Sequence, residues 1–178
     1  MRSVGIARNY AEALFALGEK SGQAERYAHL LDAVAGAIET SPRILAVLMS
    51  PRVTKAQKGR ILAQALSGVP EEFVEFLKAV IKRGRQGLFR DMAREYLSLL
   101  DLKLNRVRAG VTLARPANPA LQKQITQALT RIIGKEVLAH FEVEPAILGG
   151  LVVRVGDRVF DGSVRRWATM LRRHLLAR

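Results

Sequence analysis

Three histidines are the side chains best suited to binding a metal ion in this sequence of 178 residues, which contains no cysteine. His29, His140 and His174 are far apart in the chain, and none belongs to a His-Glu-x-x-His pair or a similar ligand spacing. The sequence therefore predicts no metal site. The absence of cysteine also excludes disulfides, which fits a reducing compartment.

The glycine-rich segments do not have the form of a phosphate-binding loop. None of them ends in Gly-Lys-Ser or Gly-Lys-Thr, and the pair Gly149-Gly150 precedes a predicted strand instead of joining a strand to a helix. We therefore expect neither a bound nucleotide nor any other cofactor.

Two aspartates and a serine near the C-terminus are the remaining candidates for catalysis. Asp157 lies in a predicted two-residue turn, and Asp161 comes just before a predicted helix, so turn and cap chemistry already explains both. Ser163 follows a glycine but lacks the second glycine of a nucleophile elbow, and it is better interpreted as a helix cap. The sequence predicts that the protein is not an enzyme.

The strong positive charge predicts an acidic partner without saying which. Lysine and arginine number 29 against 16 aspartates and glutamates, a net charge of +13. Lys82-Arg83-Gly84-Arg85 is the densest basic cluster, but basic residues occur throughout the chain, which favours a solvated surface over a nucleic-acid site. A small basic nucleic-acid-binding protein remains the alternative interpretation, and an enzyme is a distant third.

The apolar residues predict a folded core and no membrane span. They make up 49% of the chain, yet the longest apolar run is Ala146–Val153, far below the roughly 20 residues that a spanning helix needs. The N-terminal segment contains Arg2, Arg8 and Glu12 before any long apolar stretch, so we expect neither a secretory signal nor a transit peptide.

Six amphipathic helices are predicted in the first part of the chain, which we take to be residues 1–105. Apolar residues recur there at spacings of three and four. Ser41-Pro42 and Thr54 with Gln57 have the composition of helix N-termini. Short connections between helices favour a six-helix bundle.

Residues 106–178 are predicted to form a separate, smaller α/β domain. Apolar and polar residues alternate from Val107 to Leu113, as in a half-buried strand. A helix from Asn118 to Gly134 follows, then a strand at His140–Glu144, a hairpin that turns at Gly156-Asp157, and a last helix with Val164, Trp167, Leu171 and Leu175 on its inner face. The fold class is mainly α with a smaller α/β part: a six-helix bundle followed by a strand-helix-hairpin-helix domain.

The first and fifth predicted helices have more apolar surface than one core-facing stripe requires. In the fifth helix, Phe73, Val74, Phe76, Leu77, Val80 and Ile81 cover an arc of roughly 160°. Such an arc fits a central helix of the bundle, and it also fits a groove for a helix of another protein. The sequence leaves both interpretations open.

Two segments resemble the delta subunit family of F-type ATP synthases, whose mitochondrial member confers oligomycin sensitivity. Leu148–Arg166 is similar, without gaps, to the C-terminal signature of that family. Ala7–Phe15 resembles its opening Arg-x-Tyr-Ala-x-Ala-Leu pattern, and Gly84-Arg85 before an apolar helix is similar to the start of its sixth helix.

The resemblance implies a non-catalytic peripheral-stalk (stator) subunit, monomeric within the complex. It implies that the first and fifth helices hold the N-terminal helix of an alpha subunit, with Tyr10, Ala11, Leu14, Val80 and Ile81 as the groove residues. It implies that the C-terminal domain binds the C-terminal region of the b subunits, with Val164, Arg165, Trp167 and Arg172 as candidate contacts. The implied location is the cytoplasmic face of the bacterial inner membrane, reached through the complex and without insertion; nucleic acid is not expected as a partner.

Overall fold

The chain folds into two compact units that meet in sequence between Asp101 and Leu102. The structure is a computed structural model that describes residues 2–176, with side chains from residue 5 onward. The sequence predicts the division slightly later, after Asn105, because the helical pattern continues to that residue.

The first unit contains the six helices that the sequence predicts, in the same order. A short 3-10 turn at Gln86–Leu88 precedes the last of them. The helices are α1 (Arg2–Lys20), α2 (Ala24–Thr40), α3 (Pro42–Met49), α4 (Lys55–Ala65), α5 (Glu71–Lys82) and α6 (Phe89–Lys103).

Local capping explains where two of these helices begin. The Thr54 hydroxyl accepts a hydrogen bond from the Gln57 amide, and the Gln57 side chain accepts one from the Thr54 amide, so both halves of the predicted capping box form. Ser41 caps α3 by accepting from the Ile44 amide. Each cap satisfies amides that have no partner inside the helix.

One hydrophobic core joins α1, α2, α5 and α6, and Leu48 of α3 also contributes. Each large apolar side chain buried there stabilises the fold by about 1.5–3 kcal/mol. The hydroxyl of Tyr96 donates to the carbonyl of Ala24 at 2.9 Å, and burial raises the pKa of Tyr96 well above its usual value. The largest fully buried side chains of this core are Leu14, Tyr27, Leu31, Phe73, Leu77, Val80, Ile81, Phe89, Met92 and Tyr96.

The predicted buried face of α4 is only partly correct. Leu62 and Leu66 pack against the core as half-buried residues, but Ile61 is 48% exposed and Ala65 is exposed as well. The reason is that α4 packs chiefly on α5, so one edge of its apolar face stays outside the core.

The second unit is a four-stranded mixed sheet with two helices. The strand order is β2-β1-β3-β4; β1 and β2 are parallel, and the other neighbours are antiparallel. Asn118 caps α7 by accepting from the Leu121 amide at 2.8 Å. The elements are β1 (Arg106–Leu113), α7 (Pro119–Ile133), β2 (Glu136–Val143), β3 (Leu151–Val155), β4 (Arg158–Asp161) and α8 (Val164–Leu176), with a 3-10 turn at Pro145–Ile147.

The core of this unit lies between one face of the sheet and α7. Ala109, Val111 and Leu113 of β1 are buried there with Val153 of β3, and the half-buried Ile125, Leu129 and Ile133 of α7 pack on them. The predicted hairpin forms, because Gly156 adopts a left-handed φ of 56° in the turn between β3 and β4. Among the described residues, no helix is long and apolar enough to span a membrane.

Candidate partner-docking surfaces

The residues with catalytic or metal-binding chemistry are not brought together. His29, His140 and His174 are all exposed, and the nearest acidic contact of His140 is the Glu142 carboxylate at 3.8 Å. Within residues 2–176, no group of three or more histidine, aspartate or glutamate side chains has the arrangement of a metal site.

Two neighbouring shallow pockets, which share Phe76 and Ala79, together form a groove between α1 and α5 on the first unit. Its central walls are Tyr10 and Ala13 of α1, opposite Phe76 and Ala79 of α5. Ile6, Asn9 and Arg83 line one end, and the other end is lined by Leu17, Glu71, Glu72 and Glu75.

The groove exists because α1 has two adjacent apolar stripes. Ala7, Ala11 and Leu14 point into the core of the unit and have no exposed surface. A second stripe, shifted by one residue, consists of Ile6, Tyr10, Ala13 and Leu17, at spacings of four, three and four that place them on one helical face. Leu17 is 37% exposed, and Ile6 and Tyr10 are half-buried. The helix therefore covers the core with one stripe and faces solvent with the other.

Four of the five residues that the sequence analysis places in the groove are core residues instead. Ala11, Leu14 and Val80 are 0% exposed and Ile81 is 1% exposed, so only Tyr10 lines the groove. The prediction selected residues in the middle of each apolar arc, and these are the residues that face the core of the unit.

The wall residues that the sequence analysis did not select lie at the edges of the arcs. They are Ile6, Ala13, Leu17, Phe76 and Ala79. Ile6, Ala13 and Leu17 each come one position before a buried residue of α1, and they share one helical face. That spacing is the signal that identifies them in the sequence.

Two aromatic rings from opposite walls of the groove contact each other. The rings of Tyr10 and Phe76 meet edge to face, with centroids 6.3 Å apart and planes 72° apart. This geometry is favourable for aromatic pairs and contributes about 0.5–1.5 kcal/mol beyond area burial. Phe76 is 9% exposed, so the pair links the wall of the groove to the core beneath it.

The last helix, α8, is the second surface without cover. The sequence predicts Val164, Trp167, Leu171 and Leu175 on its inner face, but they are 49%, 68%, 62% and 68% exposed. This prediction is wrong because α8 packs chiefly on the short turn Pro145–Ile147 and leaves an open pocket towards the sheet, in which Trp167 and Met170 face Leu151 and Phe160. The amphipathic pattern is real, yet the described residues of this chain leave most of its apolar side exposed.

A tight backbone junction holds the base of α8. The Val164 amide donates to the Gly149 carbonyl at 3.0 Å, and the Gly162 amide donates to the Leu151 carbonyl at 3.0 Å. Gly150 has a φ of 74°, and a Cβ added there would lie 2.3 Å from the Gly162 carbonyl oxygen. Only glycine fits such a position without displacing the backbone.

Asp161 and Ser163 cap the start of α8, as the sequence predicts. The Ser163 amide donates to the Asp161 carboxylate at 2.9 Å, and the Arg166 amide donates to the Ser163 hydroxyl at 3.2 Å. Hydrogen bonds from the Ser163 side chain and amide lower the pKa of Asp161, and the charges of Arg166 and Arg165 lower it further. The carboxylate is thus ionised where the positive end of the helix dipole favours it.

Comparisons with known proteins give one consistent family. The family described as "ATP synthase delta (OSCP) subunit" matches residues 6–175. The chain is 45% identical to the ATP synthase subunit delta of Gemmatimonas aurantiaca, over 96% of this chain and 92% of that protein. It is 36% identical to that of Anaeromyxobacter sp. over 96% of both chains, and 31% identical to that of Myxococcus xanthus over the full length of both.

A solved structure has the same fold. A chain of the mitochondrial ATP synthase hexamer of Toxoplasma gondii superposes with a TM-score of 0.70, covering 97% of this chain and 98% of that one at 22% identity. The family match includes both apolar surfaces, since it extends across α1, α5 and α8. The chain therefore belongs to the ATP synthase delta (OSCP) subunit family.

Proposed function

We propose that the protein is a non-catalytic peripheral-stalk subunit of the rotary proton-translocating ATP synthase, linking the catalytic head to the b subunits. The observation that carries this proposal is the family match, which covers both units of the chain. Each unit also leaves apolar helix surface uncovered, as a protein needs if it joins two others.

The proposed contact with the head is the groove between α1 and α5, occupied by the N-terminal helix of an alpha subunit. An amphipathic helix binds such a groove by inserting apolar side chains at i, i+3, i+4 and i+7. Tyr10 remains a proposed contact, together with Leu17, Phe76 and Ala79. The buried residues Ala11, Leu14, Val80 and Ile81 support the walls from within.

The proposed contact with the stalk is α8, occupied by the C-terminal region of the b subunits. Trp167 and Val164 offer exposed apolar area, while Arg165 and Arg172 are placed to meet acidic side chains of the partner. Tryptophan and arginine are the residue types that most often dominate binding energy at interfaces.

In this role the protein must bind the head and the stalk tightly and resist deformation under torque. The head must not turn with the central shaft, because rotation driven by protons changes the catalytic sites only if the head stays still. A joint under torque needs slow dissociation, which favours desolvated apolar contacts over surface ion pairs worth about 0–1 kcal/mol each. We place the protein at the cytoplasmic face of the bacterial inner membrane, held there by the complex.

Two variants separate the proposed contacts. We expect the tagged full-length chain to capture alpha and b subunits from detergent-solubilised membranes. Ala79→Asp should abolish capture of alpha while keeping b, because it places a charge on the groove wall. Trp167→Asp should abolish capture of b while keeping alpha. Capture of neither subunit by the unmodified chain would contradict the proposal.

Matched controls distinguish a lost contact from a lost fold. Ala33→Asp makes the same change at an exposed position of α2, and Ile132→Asp introduces a charge at a side chain of α7 that is 81% exposed. Both should capture alpha and b normally. A nucleic-acid-binding protein would instead bind DNA or RNA with an affinity that falls by orders of magnitude between 50 and 200 mM salt.

A further inference from the structure

Lys58 of α4 is a buried lysine without a counter-charge. It is only 6% exposed, and its ammonium group makes neither a hydrogen bond nor an ion pair with any described residue. Lysine is almost never buried to this extent unless it is paired, because a charge removed from water without a partner is costly. Packing of its methylene groups accounts for the burial of the carbon atoms, but it does not supply the missing counter-charge.

Three further lysines lie close to Lys58, where α4 packs on α5. The Lys55 ammonium group donates to the Lys82 carbonyl at 2.8 Å, and a Cβ added to Gly59 would lie 3.5 Å from Cγ of Lys78. These two contacts show that the helices run antiparallel, with the first turn of α4 beside the last turn of α5. We call Lys55, Lys58, Lys78 and Lys82 the lysine cluster.

The surroundings explain three members of the lysine cluster and leave one unexplained. Lys78 forms an ion pair with the Glu75 carboxylate at 2.7 Å. Lys55 and Lys82 lie at the C-terminal end of α5, where the negative end of the helix dipole favours cations. For Lys58, the described part of the chain provides neither a carboxylate partner nor a helix C-terminus.

The position of Lys58 within α4 makes its charge less favourable still. The positive end of the helix dipole lies at the first turn, which usually contains aspartate or glutamate. In α4 that turn contains no acidic residue and begins with Lys55, and Lys58 follows one turn later. The whole stretch 41–70 contains five basic residues and no acidic one. An anion at this place meets the helix dipole and the lysine charges together, and all of them attract it.

We propose that the lysine cluster binds the phosphate group of a small anion, with Lys58 as the central ligand. Near neutral pH a phosphate group carries about two negative charges and several acceptor oxygens, so it offsets more of the unpaired lysine charge than one carboxylate does. Because Lys58 is recessed between two helices, a small anion reaches its ammonium group more easily than a docked protein does. The bound group bridges α4 and α5 and thereby stabilises the first unit.

This site is separate from the contacts proposed for the alpha and b subunits, and it does not depend on them. The residues that line the groove between α1 and α5 include no member of the lysine cluster. The proposal therefore adds a ligand to the first unit beyond the proposed function.

Titration of the isotope-labelled full-length chain with inorganic phosphate, at constant ionic strength, tests the site. We expect saturable shifts of the amide resonances of Lys55, Lys58 and Gly59, and a higher thermal midpoint of the first unit. Lys58→Met keeps an apolar side chain and removes the charge, so it should weaken phosphate binding about tenfold or more without lowering the midpoint in phosphate-free buffer. Lys123→Met, at an exposed position of α7, should leave phosphate binding unchanged.

A second variant covers the case in which Lys58→Met disturbs the fold. The Lys78 side chain is 39% exposed, so Lys78→Met removes a charge of the cluster without changing a buried position, and it should weaken phosphate binding severalfold. A parallel titration with ATP distinguishes the two sources of a phosphate group, since tighter binding at the same amides identifies a nucleotide and weaker binding identifies the free ion.

Three results would overturn the proposal. They are shifts that do not saturate or that chloride reproduces, an unchanged phosphate affinity in both Lys58→Met and Lys78→Met, and a response to a glutamate-rich peptide without a response to phosphate or ATP. The last result would indicate an acidic protein segment as the ligand. None of them bears on the proposed function, because capture of alpha and b subunits is measured separately.

Discussion

The sharpest test of the two stripes on α1 compares leucines three residues apart. Leu14 is fully buried and Leu17 is 37% exposed at the end of the groove. Leu14→Ala leaves a cavity in the core, so we expect the free energy of unfolding to decrease by about 2–5 kcal/mol. Leu17→Ala removes a side chain at the rim, for an expected loss of about 1 kcal/mol. Binding of the partner helix should be weakened more by Leu17→Ala than by Leu14→Ala.

Each unit can be followed separately in this comparison. The helices of the first unit contribute most of the far-ultraviolet circular dichroism, whereas the amide resonances of β1 and β3 report the sheet of the second unit. For a unit of about 100 residues, each kcal/mol lowers the thermal midpoint by about 4–8 °C. Leu14→Ala should therefore lower the circular-dichroism midpoint by roughly 10 °C or more and leave the transition of the sheet amides unchanged.

Calorimetry with an alpha-subunit N-terminal peptide completes the comparison. Below the melting range, Leu17→Ala should weaken binding about fivefold or more, as expected for an apolar anchor that loses over 1 kcal/mol. Leu14→Ala should weaken binding less, because Leu14 does not line the groove. If Leu17→Ala destabilises the protein as much as Leu14→Ala does, the assignment of the stripes to core and groove is wrong.

Two further predictions concern the base of α8. Gly150→Ala should destabilise the second unit by about 2 kcal/mol or more, because the added Cβ would meet the Gly162 carbonyl at 2.3 Å. Urea unfolding followed through the amide resonances of β3 measures this loss, and an unchanged midpoint would contradict the prediction. The pKa of Asp161 is lowered by Ser163, so its cap contributes stability above the usual aspartate value of about 3.9 and loses it as pH falls through the lowered value. The Ser163 amide resonance should report that transition, and the pH dependence should disappear in Asp161→Asn.

Local signals in the sequence predict the elements well. The capping box at Thr54 and Gln57, the Asn118 cap and the glycine turn at Gly156 all occur where the sequence places them. These signals need only neighbouring residues, because a side chain that caps a helix satisfies amides two or three positions away. The alternation in β1 is equally local, since each strand residue faces the side opposite to its neighbour.

Burial on a broad apolar arc is harder to predict, because it depends on distant elements. In α1 the stripes that contain Leu14 and Tyr10 differ by a single position, and only the placement of α2, α5 and α6 decides which one is sealed. In α8 the pattern correctly indicates an amphipathic helix, but the surface that would cover Trp167 is not supplied by the described residues of this chain. The parallel pairing of β1 with β2 likewise requires the whole unit.

The groove and α8 differ in how well each surface is held in place before a partner binds. The walls of the groove stand on fully buried residues such as Leu14 and Val80, so a helix that docks there orders little of this protein. By contrast α8 has 13 residues, near the length below which an isolated helix is marginal, and its support is concentrated at the turn Pro145–Ile147 and the Gly149–Val164 junction. The proposed contact with the b subunits would therefore stabilise α8 as well as bind it, and part of the gross binding energy would offset that ordering. The arginines of α8 would make this proposed contact sensitive to salt, whereas binding at the apolar middle of the groove would depend little on salt.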